Sequence, residues 1–166
     1  PGRECAVCPI PGMAQPLKEA VLLQGPVVRG FGRGSKLLGI PTANIPLEGN
    51  EKSLDSLGTG IYAGWARLDD SGPVYPTVLS VGYNPQFQNT CKTIEPWLLH
   101  PFDHDFYDSH LRLVVVAFLR QESAFESLEA LKAEIENDGV VGKAFLEEVE
   151  DEYALVRKEW LGTEDV

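Results

Sequence analysis

The chain has 166 residues, 43% of them apolar and 23% charged, which suits one soluble domain with a full core and is too short for two. No apolar run approaches the length of a membrane-spanning helix, and a net charge of −11 speaks against general nucleic-acid binding. The charge is uneven: residues 121–166 hold 14 acids and 4 bases, whereas Arg29, Arg33 and Lys36 stand without an acid between residues 20 and 47. A locally cationic stretch in an acidic protein favours a small anion over a polyanion.

Residues 1–24 are Pro-rich and aperiodic, and are expected to form a mobile lead-in and a short entry segment before a single domain over 25–166. Five short segments rich in β-branched and aromatic residues follow: "PVVRGF", "GIYAGWARL", "VYPTVLSVGY", "CKTIEPWLL" and "HLRLVVVAFL". "LDDSGPVY" reads as a turn that makes two of them antiparallel neighbours. Residues 113–119 are apolar without alternation, which places them inside the sheet. After Arg120 the period becomes helical. Ser123 and Glu126 have capping-box spacing, Phe125, Leu128, Leu131 and Ile135 form one face, and Asn137-Asp138-Gly139 is expected to stop the helix. A further helix is expected from about residue 140, completing a helical tail over 123–160. The expected class is α+β, mainly β: a closed barrel over 25–120 with helices packed outside.

Three cysteines, Cys5, Cys8 and Cys91, make no disulfide framework, and Cys5-x-x-Cys8 is half a zinc site without a second half. A reduced intracellular setting, cytoplasmic by default, is expected. The chain is expected to be a monomer.

"GFGRGSKLLGIPTANIP" at residue 30 looks like a phosphate cradle, yet matches neither the P-loop nor the G-x-G-x-x-G spacing. Glycines at 30, 32 and 34 let backbone N–H groups approach a ligand, and Arg33 and Lys36 add positive charge. A flexible hairpin tip with incidental bases explains the composition equally well. In "PTAN", Thr42 and Asn44 lie two apart on an extended segment, so both side chains share a face. Their oxygens are hard, neutral donors suited to Mg²⁺ completed by phosphate, although a self-capping turn is the commoner use of such residues. Glu95 is the one carboxylate in an apolar strand-like segment, a candidate general base or, more commonly for such a residue, an ion-pair partner of Lys92 or of a surface arginine. His100 and His104 flank Pro101, which resists a metal-binding helix there. An anion loop, a Mg²⁺ pair and a carboxylate together suggest phosphoryl transfer to an alcohol.

Those segments, with "TGIYAGWA", "VLSVGYNPQFQNT", "KTIEPWLLH", "FDHDFYDSHLRLVVVAFLR" and "FESLEALKAEI", resemble the riboflavin kinase family in its stand-alone eukaryotic form over residues 25–135. The resemblance implies a six-stranded antiparallel Greek-key barrel with C-terminal helix. It implies transfer of the ATP γ-phosphate to the 5′-hydroxyl of riboflavin, giving FMN and ADP, with Mg²⁺ and no permanently bound cofactor. It implies ATP at Gly30, Lys36, Leu98, His100 and Tyr107, with the glycine-rich loop as a flap. It further implies flavin at Arg120, Ser123 and Phe125, metal at Thr42 and Asn44, and Glu95 as the catalytic glutamate. Gln121 stands where the family commonly has Pro, which leaves the flavin-side loop open. Fewer than 25 residues precede the resemblance, too few for the adenylyltransferase domain of bacterial relatives, so FMN is the expected end product. A non-catalytic flavin- or nucleotide-binding barrel is the alternative, and a module whose acidic tail binds a basic partner is a second.

Overall fold

The computed structural model describes residues 13–30, 38–83 and 92–163. In chain order they form β1 (Gln15–Pro26), α1 (Glu51–Asp55), β2 (Gly60–Leu68), β3 (Val74–Tyr83), β4 (Lys92–Leu98), β5 (His110–Arg120), α2 (Leu128–Glu148) and α3 (Ala154–Leu161). The strands make one antiparallel sheet in the order β1-β5-β2-β3-β4. Hydrophobic punctuation placed β2 and β3 at their observed bounds, and the 69–73 turn joins them as neighbours.

The apolar run in β5 has the predicted cause. Leu113, Val114, Val115, Val116 and Ala117 are all fully buried because β5 is central and both sheet faces are covered. On the inner face Leu23, Leu79, Ile94, Leu98, Leu113 and Val115 pack with Ala43, Ile45 and Leu54. On the outer face Trp65, Val78, Val114 and Leu119 pack with Leu146 of α2 and Leu161 of α3. The C-terminal helices therefore lie outside the sheet, as expected.

The barrel expectation needs correction. Among the described residues the sheet has five strands, and its ladder is not closed into a six-stranded barrel. Where a sixth strand would close it, residues 43–45 make only an isolated bridge. Ala43 N donates to Pro96 O and Ile45 N to Ile94 O on β4, while Val28 N donates to Asn44 O beyond the end of β1. Pro41 and Pro46 bracket this segment and lack the N–H groups that a longer ladder requires. Asn50, buried to 2% exposure, fastens the following loop by bonding Gln24 N, Gln24 O and Pro46 O.

Three boundaries also moved. Residues 15–24, expected in the lead-in, form most of β1, and "PVVRGF" contributes only Pro26 to a strand. The cap of α2 is Ser127, whose side chain accepts from Ala130 N at 3.1 Å, so Ser123 and Glu126 lie before the helix. The helix then runs straight through Asn137-Asp138-Gly139. Tertiary contacts outweigh local propensity here. Asp138 bonds Arg120, and a Cβ at Gly139 would meet Trp97 Cζ3 at 2.8 Å, so only glycine lets the helix sit this close to β4. Among the described residues no helix is long and apolar enough to cross a membrane.

Candidate active site

The sheet register lines up the candidate residues. The Ile45–Ile94 bridge sets Asn44 opposite Glu95. Glu95 pairs with Ser80, Ser80 with Ile61, and Ile61 with Arg120. Directly opposed side chains lie about 5 Å apart at Cβ, so Asn44, Glu95 and Ser80 are successive neighbours in one cross-strand row. Arg120 stands at the far end, about 14 Å from Glu95 along the strand spacing.

Each position on the row has a local cause. Ala43 and Ile45 are buried, so alternation turns Thr42 and Asn44 to the opposite side of their segment. Ile94 and Leu98 bury into the inner core, so Glu95 faces the other way and is half-buried. Lys92, the alternative ion-pair partner, lies on the inner side of β4, where Nζ donates to Leu54 O and Leu57 O at 3.0 and 2.7 Å. Gly30 lies against the Asn44 carboxamide. The Thr42 hydroxyl, the Asn44 amide and the facing Glu95 carboxylate are hard oxygen donors that fit Mg²⁺. With one charge among them, they suit an ion that keeps phosphate or water ligands. Among the described residues no group of three or more His, Cys, Asp or Glu side chains could hold a metal ion.

A pocket of about 340 Å³ opens beside this row, lined by Pro41, Ala43, Leu98, His100, Phe102 and Phe106, with residues 103–105 at its rim. His100 stacks with Tyr75 and Phe102, ring centroids 4.8 and 4.9 Å away, and Phe102 continues to Phe106. Leu98 and His100 are thus brought together. Tyr107 stands apart from the pocket lining, with the Arg29 guanidinium 4.4 Å from its ring centroid, one residue from Gly30. Lys36, Arg33 and the rest of the glycine-rich loop lie outside the described residues, as do Cys5, Cys8 and Cys91.

At the other end Arg120 organises the loop that Gln121 left open. Its Nη1 donates to Gln121 O at 3.0 Å and reaches Ser123 Oγ at 3.4 Å, and its guanidinium lies 5.7 Å from the Phe125 ring centroid. The three expected flavin-side residues therefore converge. Nε and Nη2 make a two-pronged bond to Asp138, at 2.8 and 2.6 Å. Burial pushes the Asp138 carboxyl above its ordinary range, and the Arg120 bond and charge offset only part of that. Arg120 itself is raised: burial opposes its charge, but the Asp138 bond and charge, with Glu134 and Glu122 behind them, win.

Three residues of this region escaped sequence reasoning. Ser80 Oγ bonds Glu122 Oε1 at 3.2 Å, and Asp138 looked like a helix stop. No spacing signal marks Ser80 or Glu122. An acid at a buried helical position, in phase with Leu131, Ile135 and Gly142, would have flagged Asp138.

A family model described as riboflavin kinase matches residues 17–146. The chain belongs to the riboflavin kinase family. A human riboflavin kinase is 47% identical over 124 residues, covering 75% of this chain and 79% of the human protein. A bifunctional riboflavin kinase/FMN phosphatase from Arabidopsis thaliana is 50% identical over 123 residues, and the match spans 32% of that longer protein. The solved riboflavin kinase of Trypanosoma brucei superposes with a TM-score of 0.64 at 27% identity, covering 81% of this chain and 84% of that one. The mainly antiparallel sheet with C-terminal helices is thus shared with a solved riboflavin kinase.

Proposed function

We infer that the chain transfers the γ-phosphate of ATP to the 5′-hydroxyl of riboflavin, giving FMN and ADP. Membership of the riboflavin kinase family over residues 17–146 carries this reading and disfavours a non-catalytic binding role. The polar row supports a division of labour. Arg120, Ser123 and Phe125 hold the flavin ring, and the ribityl chain runs along the sheet toward Glu95. The span from Arg120 to Glu95 suits a three-ring system with an extended five-carbon chain. Leu98 and His100 line the adenosine pocket, with Tyr107 at its flank and Gly30 and Lys36 at the phosphates.

The pocket draws on the side of segment 41–45 that carries Pro41 and Ala43, whereas Thr42 and Asn44 face the other side. The phosphates would therefore round that segment beside Gly30 to reach the row. There Thr42 and Asn44 would hold Mg²⁺, which neutralises charge on the transferring phosphoryl group when bound. Glu95 accepts the 5′-hydroxyl proton as the new oxygen–phosphorus bond forms and the bond to the β,γ-bridging oxygen breaks, ADP leaving with that oxygen. General-base help of this kind is worth about 10²–10⁴-fold, and positioning with charge neutralisation supplies the larger share. The test is incubation with riboflavin, ATP and Mg²⁺, with chromatography for FMN. FMN with stoichiometric ADP is expected, and riboflavin bound but unchanged would favour the non-catalytic reading.

A further inference from the structure

Asp138 is a buried acid that none of these steps uses. Its side chain is 5% exposed, and both carboxylate oxygens are engaged by Nε and Nη2 of Arg120. A buried ion pair is weak evidence for stability, because desolvating both charges offsets most of their attraction. What the pair does provide is direction. A guanidinium gripped along one edge by a carboxylate fork cannot rotate. The nitrogen left over, Nη1, is thereby aimed at Gln121 O and Ser123 Oγ, and the Phe125 ring lies beside the same guanidinium.

The helical turn that carries Asp138 is itself fixed from the other side. Gly139 sits against Trp97, which is two residues from Glu95 on the same face of β4. One turn of α2 thus touches both ends of the row: the flavin-side arginine through Asp138 and the strand of the base through Gly139. Glu134, one turn earlier, adds a weaker contact to Arg120 Nε at 3.4 Å.

We propose that Asp138 is a positioning residue of the acceptor site, holding Arg120 so that residues 121–125 present a preformed surface to riboflavin. This rests on the reading of Arg120, Ser123 and Phe125 as the flavin side. Asp138 touches no substrate and acts only through Arg120. Loosening a positioning group by an ångström can cost as much as about a hundredfold in rate, so the expected loss lies in kcat/KM for riboflavin. The KM for MgATP should stay unchanged, because the nucleotide pocket shares no residue with this pair.

Steady-state kinetics on Arg120→Lys, Asp138→Asn, Asp138→Glu and the Arg120→Lys/Asp138→Asn double variant test this, with melting curves for each. Both Arg120→Lys and Asp138→Asn should lower kcat/KM for riboflavin about ten- to hundredfold, the double variant should be no worse than Arg120→Lys, and Asp138→Glu should recover part of the loss. Arg67→Met serves as the stability control: it frees the end of α3 rather than the Asp138 turn of α2, so it should melt earlier with riboflavin kinetics intact. Normal riboflavin kinetics in a folded Asp138→Asn, or additive losses in the double variant, would overturn the positioning role. Should Asp138→Asn not fold, normal riboflavin kinetics in a folded Asp138→Ser, which has no carboxylate to grip Arg120, would overturn it as well. Normal kinetics in Arg120→Lys would instead overturn the reading of Arg120 as a flavin residue, and the proposal with it.

Discussion

Gly30 approaches the Asn44 side chain so closely that a Cβ at position 30 would lie 2.9 Å from Asn44 Cγ. Gly30 is exposed, and the carboxamide can turn aside, so Gly30→Ala should leave the melting temperature nearly unchanged. The displaced Asn44 oxygen should nevertheless weaken use of MgATP. A raised KM for MgATP with unaltered riboflavin affinity is the expected result. Unchanged MgATP kinetics would separate Gly30 from the phosphate end of the site.

The proposed Mg²⁺ ligands Thr42 and Asn44 carry no charge, so on this reading nucleotide phosphates must complete the site. Calorimetry should detect very weak Mg²⁺ binding to the protein alone and clear binding with a nucleotide present. Asn44→Ala should impair MgATP use more than riboflavin binding. Tight Mg²⁺ binding without nucleotide would require a different set of ligands.

Local pattern was sufficient for β2 and β3, whose apolar runs are bounded by Gly, Pro and Asp clusters, and for β5, whose unbroken apolar run gives way to the polar residues Arg120-Gln121-Glu122. It failed for β1, where Pro16, Lys18 and Glu19 conceal a strand defined by pairing such as Leu23 with Leu113. It failed again at Asp138 and Gly139, whose helical state depends on Arg120 and Trp97. The same holds for the site. The residue types of Thr42, Asn44 and Glu95 suggested chemistry, but their adjacency comes from the Ile45–Ile94 bridge between segments about 50 residues apart. Residues 47–57, which gave no signal, supply Asn50 and α1, and Leu54 and Leu57 from this stretch join the inner core.

Arg67 is 2% exposed in β2, and its Nη1 donates to Leu161 O and Thr163 O at 2.9 and 2.8 Å, holding the end of α3 against the sheet. Arg67→Met fills similar space but removes these donors. The chain should lose about 1.5–3 kcal/mol, the usual worth of hydrogen bonds from a charged group. Hydrogen exchange should accelerate first in α3, with riboflavin kinetics preserved. Uniform acceleration across the sheet would argue against a local clasp.

The Asp138 carboxyl is raised by burial above its ordinary 3.8, more than Arg120 lowers it. The folded chain therefore holds this proton more tightly than the unfolded one. The associated stability is full below pH 3.8 and is lost as pH rises through the folded value. Denaturant melts of wild type and Asp138→Asn across the acid range should show the wild-type advantage shrinking as pH increases. An advantage that grows with pH would mean that the ion pair outweighs burial.

Glu95→Gln is the most direct test of the proton-transfer account. The change keeps shape and a hydrogen-bond acceptor and removes the base, so turnover should fall about 10²–10⁴-fold while riboflavin affinity and melting temperature hold. Turnover close to wild type in the folded variant would contradict the role of Glu95 as the base.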